Sequence, residues 1–139
     1  DFPRALTSGE GHRFDFSFSG LKTAVLRRVR ELGAGPLPVA DLAASFQAAV
    51  VDVLVGKTAD AAHAFGVQRV CVCGGVAANQ ALRVAVAERL PVPVSIPPFF
   101  LCTDNAAMIG AAGAYRLRRD GPTALDFDVE PDLALPTET

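Results

Sequence analysis

The chain has 139 residues, half of them hydrophobic and a fifth charged, with a formal net charge of -2. That length buries one core and is too short to call for two. A balance so close to neutral does not advertise bulk-charge binding to nucleic acid.

Charge is unevenly spread. Arg4, Arg13, Lys22, Arg27, Arg28 and Arg30 gather in the first thirty residues, whereas 120–138 holds no Lys after Asp120 and no Arg. Such asymmetry favours phosphate on one surface, although exposed helix charges ordinarily just solvate a face. No apolar run approaches the roughly 20 residues that span a bilayer, and DFPRALTSGE is neither basic nor apolar enough for a signal peptide. The opening dozen residues read as a connection within something longer, so a fragment is expected. Three cysteines cannot all pair with one another, and Cys71 and Cys73 lie two apart on one strand face, which fits a reducing, cytoplasmic setting with no membrane partner.

In chain order, Phe14 to Phe18 alternates aromatic and polar residues and predicts a strand with one buried face. After Gly20, the stripe Leu21, Ala24, Val25, Val29 and Leu32 predicts a helix, ended by GAGPLP at 33–38. Asp41 suits the N-cap of a long helix that runs from Leu42 through Phe46, Val50, Val53 and Leu54 to Phe65 and stops at Gly66. Residues 67–73 form a β-branched run suited to burial on both faces of a parallel sheet. A helix follows over 79–90, stopped by Pro91, and then a short extended segment around Val94 and Ile96. A last helix is expected to start around Asp104 and end at Gly121, and a short strand near 125–129 is the most the tail offers. Residues 1–139 thus read as a single α/β domain with parallel strands, 1–13 as a connecting segment and 122–139 as a mostly irregular tail.

Three stretches suit chemistry. Gly74 and Gly75 fall where a buried strand turns into a helix, the place where open α/β sheets bind ligands. Two missing Cβ atoms serve either a tight turn or the close approach of backbone to a phosphate. Asn79 either caps the helix or offers a paired donor and acceptor to a ribose or base. In CTDNAAMIG, Asp104 is an N-cap or a metal carboxylate, ahead of small residues (Ala106, Gly110, Gly113, Ala114) that permit close packing. Lys22, at the turn in SGLKT, is a solvated lysine or a phosphate contact. Cys71, Cys73 and Cys102 lack zinc-site spacing and read as small buried hydrophobes. His12 and His63 are isolated, and neither a G-x-S-x-G nor a P-loop is present.

Four blocks in order, FSFSGLKTA (16–24), DLAASFQAAVVD (41–52), GGVAAN with LR following (74–83) and LCTDNAAMIGAAG (101–113), resemble the TsaD family, once named O-sialoglycoprotein endopeptidase. The resemblance implies a ribonuclease-H-like lobe of the sugar-kinase, Hsp70 and actin superfamily. It also implies transfer of threonylcarbamoyl from threonylcarbamoyl-adenylate to N6 of adenosine 37, in tRNAs that read codons beginning with A. By that resemblance Gly74, Gly75 and Asn79 bind ATP or the adenylate. Asp104 ligates one divalent metal ion, iron or zinc, with magnesium as a further candidate. The implied partners are tRNA, an N-terminal lobe with the family's H-x-x-x-H pair, and TsaB-like and TsaE-like proteins in bacteria. The chain shows no such histidine pair, so it resembles the C-terminal portion and is expected to be inactive alone. A nucleotide-binding or assembly module without its own chemistry is the alternative, and a metalloprotease, as the old name implies, is a third reading without a supporting motif.

Overall fold

The first helix forms where the sequence stripe places it, as α1, Ser19–Leu32, burying Leu21 and ending in Gly33 at φ +71°. The computed structural model describes residues 1–4, 13–126, 128 and 132. It divides into two compact units, Asp1–Asp104 and Asn105–Thr139, taken separately below. The protein is mixed α/β and mostly helical.

In the first unit α2 spans Val39–Ala64. It begins three residues before the predicted start because Pro38 takes the N-cap position, its carbonyl accepting the Leu42 N–H at 3.0 Å. Asp41, expected as the cap, lies inside the first turn, where its charge complements the positive end of the helix dipole. The predicted stop at Gly66 holds in detail. Gly66 adopts φ +59°, its N–H donates to the His63 carbonyl, and the Val67 N–H donates to the Ala62 carbonyl. This is the paired bond pattern by which a left-handed glycine satisfies the last carbonyls of a helix.

Contrary to the expectation from apolar runs, α2 is long and apolar enough, by length and composition, to cross a bilayer. Alanines raise its average apolarity although Asp52, Lys57 and Asp60 interrupt every run. Its contacts are those of a core helix. Val51 and Val55 pack with Leu82 and Val86, and Ala49 packs with Leu21 and Phe2. Val55 is wholly buried.

The parallel pair is small. β1, Val70–Cys71, pairs in register with β2, Val94–Ser95, and the Val70 and Val72 N–H groups donate to the Pro93 and Ser95 carbonyls at 3.0 Å. Between them runs α3, Gln80–Arg89, the crossover that a parallel pair requires. Leu54, Val72, Val94 and Ile96 close on the α2–α3 core.

Two expectations fail here. Phe14 to Phe18 forms no strand, since the alternation supplies a face but no described segment supplies a hydrogen-bonding neighbour. Its aromatic rings pack individually instead. Phe14 meets Phe65 at 5.2 Å between centroids, Phe18 joins the α1–α2 core, and Phe16 stays exposed beside the Lys57 ammonium. The run 67–73 is not buried on both faces either, and Cys71 and Cys73 are exposed; only Cys102 is the buried small hydrophobe that was expected of all three. All three thiols are free.

The second unit holds α3's successor α4, Ala106–Asp120. Asn105 rather than Asp104 caps it, its Oδ1 accepting the Met108 N–H at 2.9 Å, and Gly121 at φ +78° ends it. No residue of α4 is buried, the small residues Ala106, Gly110, Gly113 and Ala114 included. The proposed strand near 125–129 falls partly outside the described residues; Leu125 and Asp126 form a turn.

Candidate functional site

β1 gives out at Cys71, and three residues later Gly74 turns the chain at φ +86° and ψ 173°, a conformation essentially reserved for glycine. Its carbonyl accepts the Ala77 N–H at 3.0 Å, so residues Gly75–Ala78 close as a single 3₁₀ turn. Gly75 has an ordinary φ, and a Cβ built there meets nothing within 4 Å. Gly74 is therefore explained by the turn itself, whereas Gly75 is not. The space above Gly75 is open, as it is above the other described glycines.

Asn79 ends that turn and caps α3. Its Oδ1 accepts the Leu82 N–H at 2.9 Å, which is the capping bond, and its Nδ2 donates to Gln47 Oε1 at 2.8 Å. Both alternatives drawn from the sequence survive, because the capping bond uses only part of the amide. An amide has two N–H donors and an oxygen with two lone pairs, so one N–H remains unspent. Beside it lies a pocket of about 570 Å³ walled by Phe18, Phe46, Val50, Val51, Leu54, Val76 and Leu82, with Gln47 and Asn79 as its polar edge. An apolar cavity with a few convergent polar groups is the usual form of a small-molecule site.

Asp104 is exposed and, among the described residues, engages in no hydrogen bond or ion pair. Because Asn105 performs the capping of α4, the helix-cap role predicted for Asp104 is withdrawn. Lys22 sits in the first turn of α1, exposed and likewise unengaged among the described residues. His63 is exposed in the last turn of α2, and His12 lies outside the described residues. Among the described residues no three His, Cys, Asp or Glu side chains gather to hold a metal ion. Asp104 alone does not make a coordination sphere, so the residues present do not fit a resident metal by themselves.

Three residues that matter here were not singled out from the sequence. Gln47 lies off the apolar stripe of α2, and its one signal was the position of SFQ within a quoted block. Arg83 closes a different block, 74–83, and its guanidinium gathers the 3₁₀ turn and the loop before Asp104. Lys57 is 6% exposed, with Nζ donating to the Arg13 carbonyl at 3.1 Å, a burial that charge patterning does not foretell.

Fold and site together define an α/β protein whose candidate site is the glycine-lipped turn at the carboxyl end of a parallel strand, next to an apolar pocket edged by amides. Comparison with known sequences sharpens that class. The chain belongs to the TsaD family, tRNA N6-adenosine threonylcarbamoyltransferase, matching it over residues 1–111. It is 49% identical over 150 residues to the tRNA N6-adenosine threonylcarbamoyltransferase of Thermomicrobium roseum, covering 93% of this chain and 41% of the relative. It is 52% identical to that of Symbiobacterium thermophilum, covering 96% and 39%, and 53% identical to that of Parasynechococcus marenigrum, covering 81% and 32%. The chain thus spans about 40% of the length of the first two of these curated relatives.

Proposed function

We propose that these residues form the C-terminal portion of a longer transferase that moves threonylcarbamoyl from threonylcarbamoyl-adenylate to N6 of adenosine 37 in tRNA. Family membership supports the reaction class, and the coverage of about 40% supports a partner lobe elsewhere in the longer protein. The lobe is read as ribonuclease-H-like, within the sugar-kinase, Hsp70 and actin superfamily. The single observation that carries the site is Asn79, fixed at two points by Leu82 and Gln47, with one N–H unspent at the edge of the apolar pocket.

In this reading the adenylate half lies against the 3₁₀ turn. Its adenine is desolvated by the Phe46, Val50 and Val76 walls, and the Asn79 amide donates to it. Gly75 lets the backbone come within van der Waals reach of the ligand, which any Cβ would prevent. The N6 amine attacks the carbamoyl carbon, the bond from that carbon to the adenylate phosphate oxygen breaks, AMP leaves with the bonding pair, and the proton that N6 gives up passes to the released phosphate or to water. The residues of this chain contribute position, holding the acyl donor in one orientation so that attack becomes effectively unimolecular. Asp104 contributes one carboxylate to a divalent metal, iron, zinc or magnesium, whose remaining ligands come from outside this chain; no step is derived through it. Lys22 stands as a phosphate or tRNA contact. TsaB-like and TsaE-like proteins are the expected bacterial partners and the cytoplasm the expected compartment.

For these 139 residues taken alone, the shortage of metal ligands among the described residues favours a second reading, a nucleotide-binding or assembly module without chemistry of its own. One assay separates the two. Threonylcarbamoyl transfer to tRNA is measured with the chain alone and with the longer protein that carries it. Turnover only in the longer protein is expected, and turnover by the chain alone overturns the partial-site account.

A further inference from the structure

Arg83, half-buried, lies in the first turn of α3, its backbone N–H bonded to the Asn79 carbonyl. The guanidinium reaches back to the turn and across to a different loop. Nε donates to the Ala77 carbonyl at 2.7 Å, and one terminal nitrogen donates to the Pro97 carbonyl at 2.6 Å and to Cys102 Sγ at 3.0 Å. The Phe99 ring lies 4.2 Å from its central carbon, a cation–π distance. Ala77 is 1% and Cys102 3% exposed, so these bonds are made in partly buried surroundings, where charge-assisted bonds are costly to lose. Ala77 stands two residues before Asn79, and Cys102 two residues before Asp104.

We propose that Arg83 is a positioning residue that clamps the Gly75–Ala78 turn to the loop 97–102, so that Asn79 and the approach to Asp104 are held as one body and a ligand on the turn is felt at the loop. The proposal rests on the reading of Asn79 as a nucleotide contact. Lysine keeps the charge but not the planar fork that serves two carbonyls at once, so Arg83→Lys opens the clamp while leaving a cation in place. A merely structural arginine lowers the unfolding midpoint without separately changing ligand affinity or loop exposure.

The test uses the longer protein in a Cys71→Ser, Cys73→Ser background, AMP as the probe, and an aromatic disulfide reagent to time the labelling of Cys102. With Arg83 intact, AMP slows Cys102 labelling, because binding at the turn and closure of the loop are linked reciprocally. In Arg83→Lys the labelling accelerates and AMP no longer slows it. AMP affinity falls by about tenfold, the scale of one lost charge-assisted bond. The protection measurement with Arg83 intact needs no variant that has to fold. Absence of protection there overturns the clamp, as does an Arg83→Lys protein with unchanged AMP affinity and protection. If Asn79→Ser leaves AMP binding unchanged, the underlying site reading falls instead.

Discussion

Replacing Asn79 by serine separates its two roles. Serine and asparagine are near-equivalent N-caps, whereas alanine there costs about 1 kcal/mol. The half-exposed Asn79–Gln47 bond contributes about 0.5 to 1 kcal/mol and is lost in either variant. Asn79→Ser therefore costs about 0.5 to 1 kcal/mol of stability and Asn79→Ala about 1.5 to 2 kcal/mol. For a domain of this size each kcal/mol lowers the unfolding midpoint by about 4 °C, so the two variants are separated by about that much. Neither side chain can reach the ligand as the amide does. Both should weaken AMP binding by about tenfold, equivalent to about 1.4 kcal/mol. Thermal unfolding of the chain and calorimetric titration of the longer protein with AMP read the two effects separately. The reasoning is refuted if Asn79→Ser binds AMP as the unsubstituted protein does, or if affinity simply follows stability across the pair.

The two glycines of the turn should behave differently. Gly74→Ala forces a side chain to φ +86° and loses about 1 to 3 kcal/mol, seen in urea unfolding. Gly75→Ala, with open space at its Cβ, changes stability by less than about 1 kcal/mol yet weakens AMP binding; unchanged affinity removes Gly75 from the ligand wall. Asp104→Ala, at an exposed position with no capping duty, stays within about 0.5 kcal/mol in stability while metal content and transfer activity of the longer protein fall. Retained metal and activity dismiss the ligand role. Hydrogen bonds from Arg4 and then Arg89 hold the Asp52 carboxyl below the usual range. Its folded pKa lies under the unfolded value of about 3.9, so this stabilisation is complete above that pH and lost as pH falls through the folded value. Asp52 is 43% exposed, which keeps the effect small. Asp52→Asn should flatten the acid limb of a stability-against-pH curve below about pH 4, and an unaltered limb rules the pairing out as its source.

Helices were legible because their signals are local. Leu21, Ala24 and Val25 mark one face of α1, Gly66 announces the end of α2 through a conformation few other residues adopt, and Asn79 is a cap by residue type alone. Strands were not, since pairing depends on a neighbour that a periodic pattern cannot supply. The Phe14 to Phe18 alternation shows this, as does the seven-residue run 67–73, which yields two paired positions. The choice of Asn105 over Asp104 as cap turned on a one-residue shift between two equally suitable side chains. In the site, Gly74, Gly75 and Asn79 could be named because turn and cap chemistry act within a few residues. Gln47 and Arg83 act on partners 32 and 14 to 19 residues away, and nothing in a linear pattern marks a side chain that reaches so far.

The most direct measurement is single-turnover transfer of threonylcarbamoyl to adenosine 37 by the longer protein, with Asn79 intact and with Asn79→Ser. The account predicts transfer with Asn79 and a rate lowered by about tenfold or more, at sub-saturating adenylate, with serine. Equal rates in two equally folded proteins would contradict it.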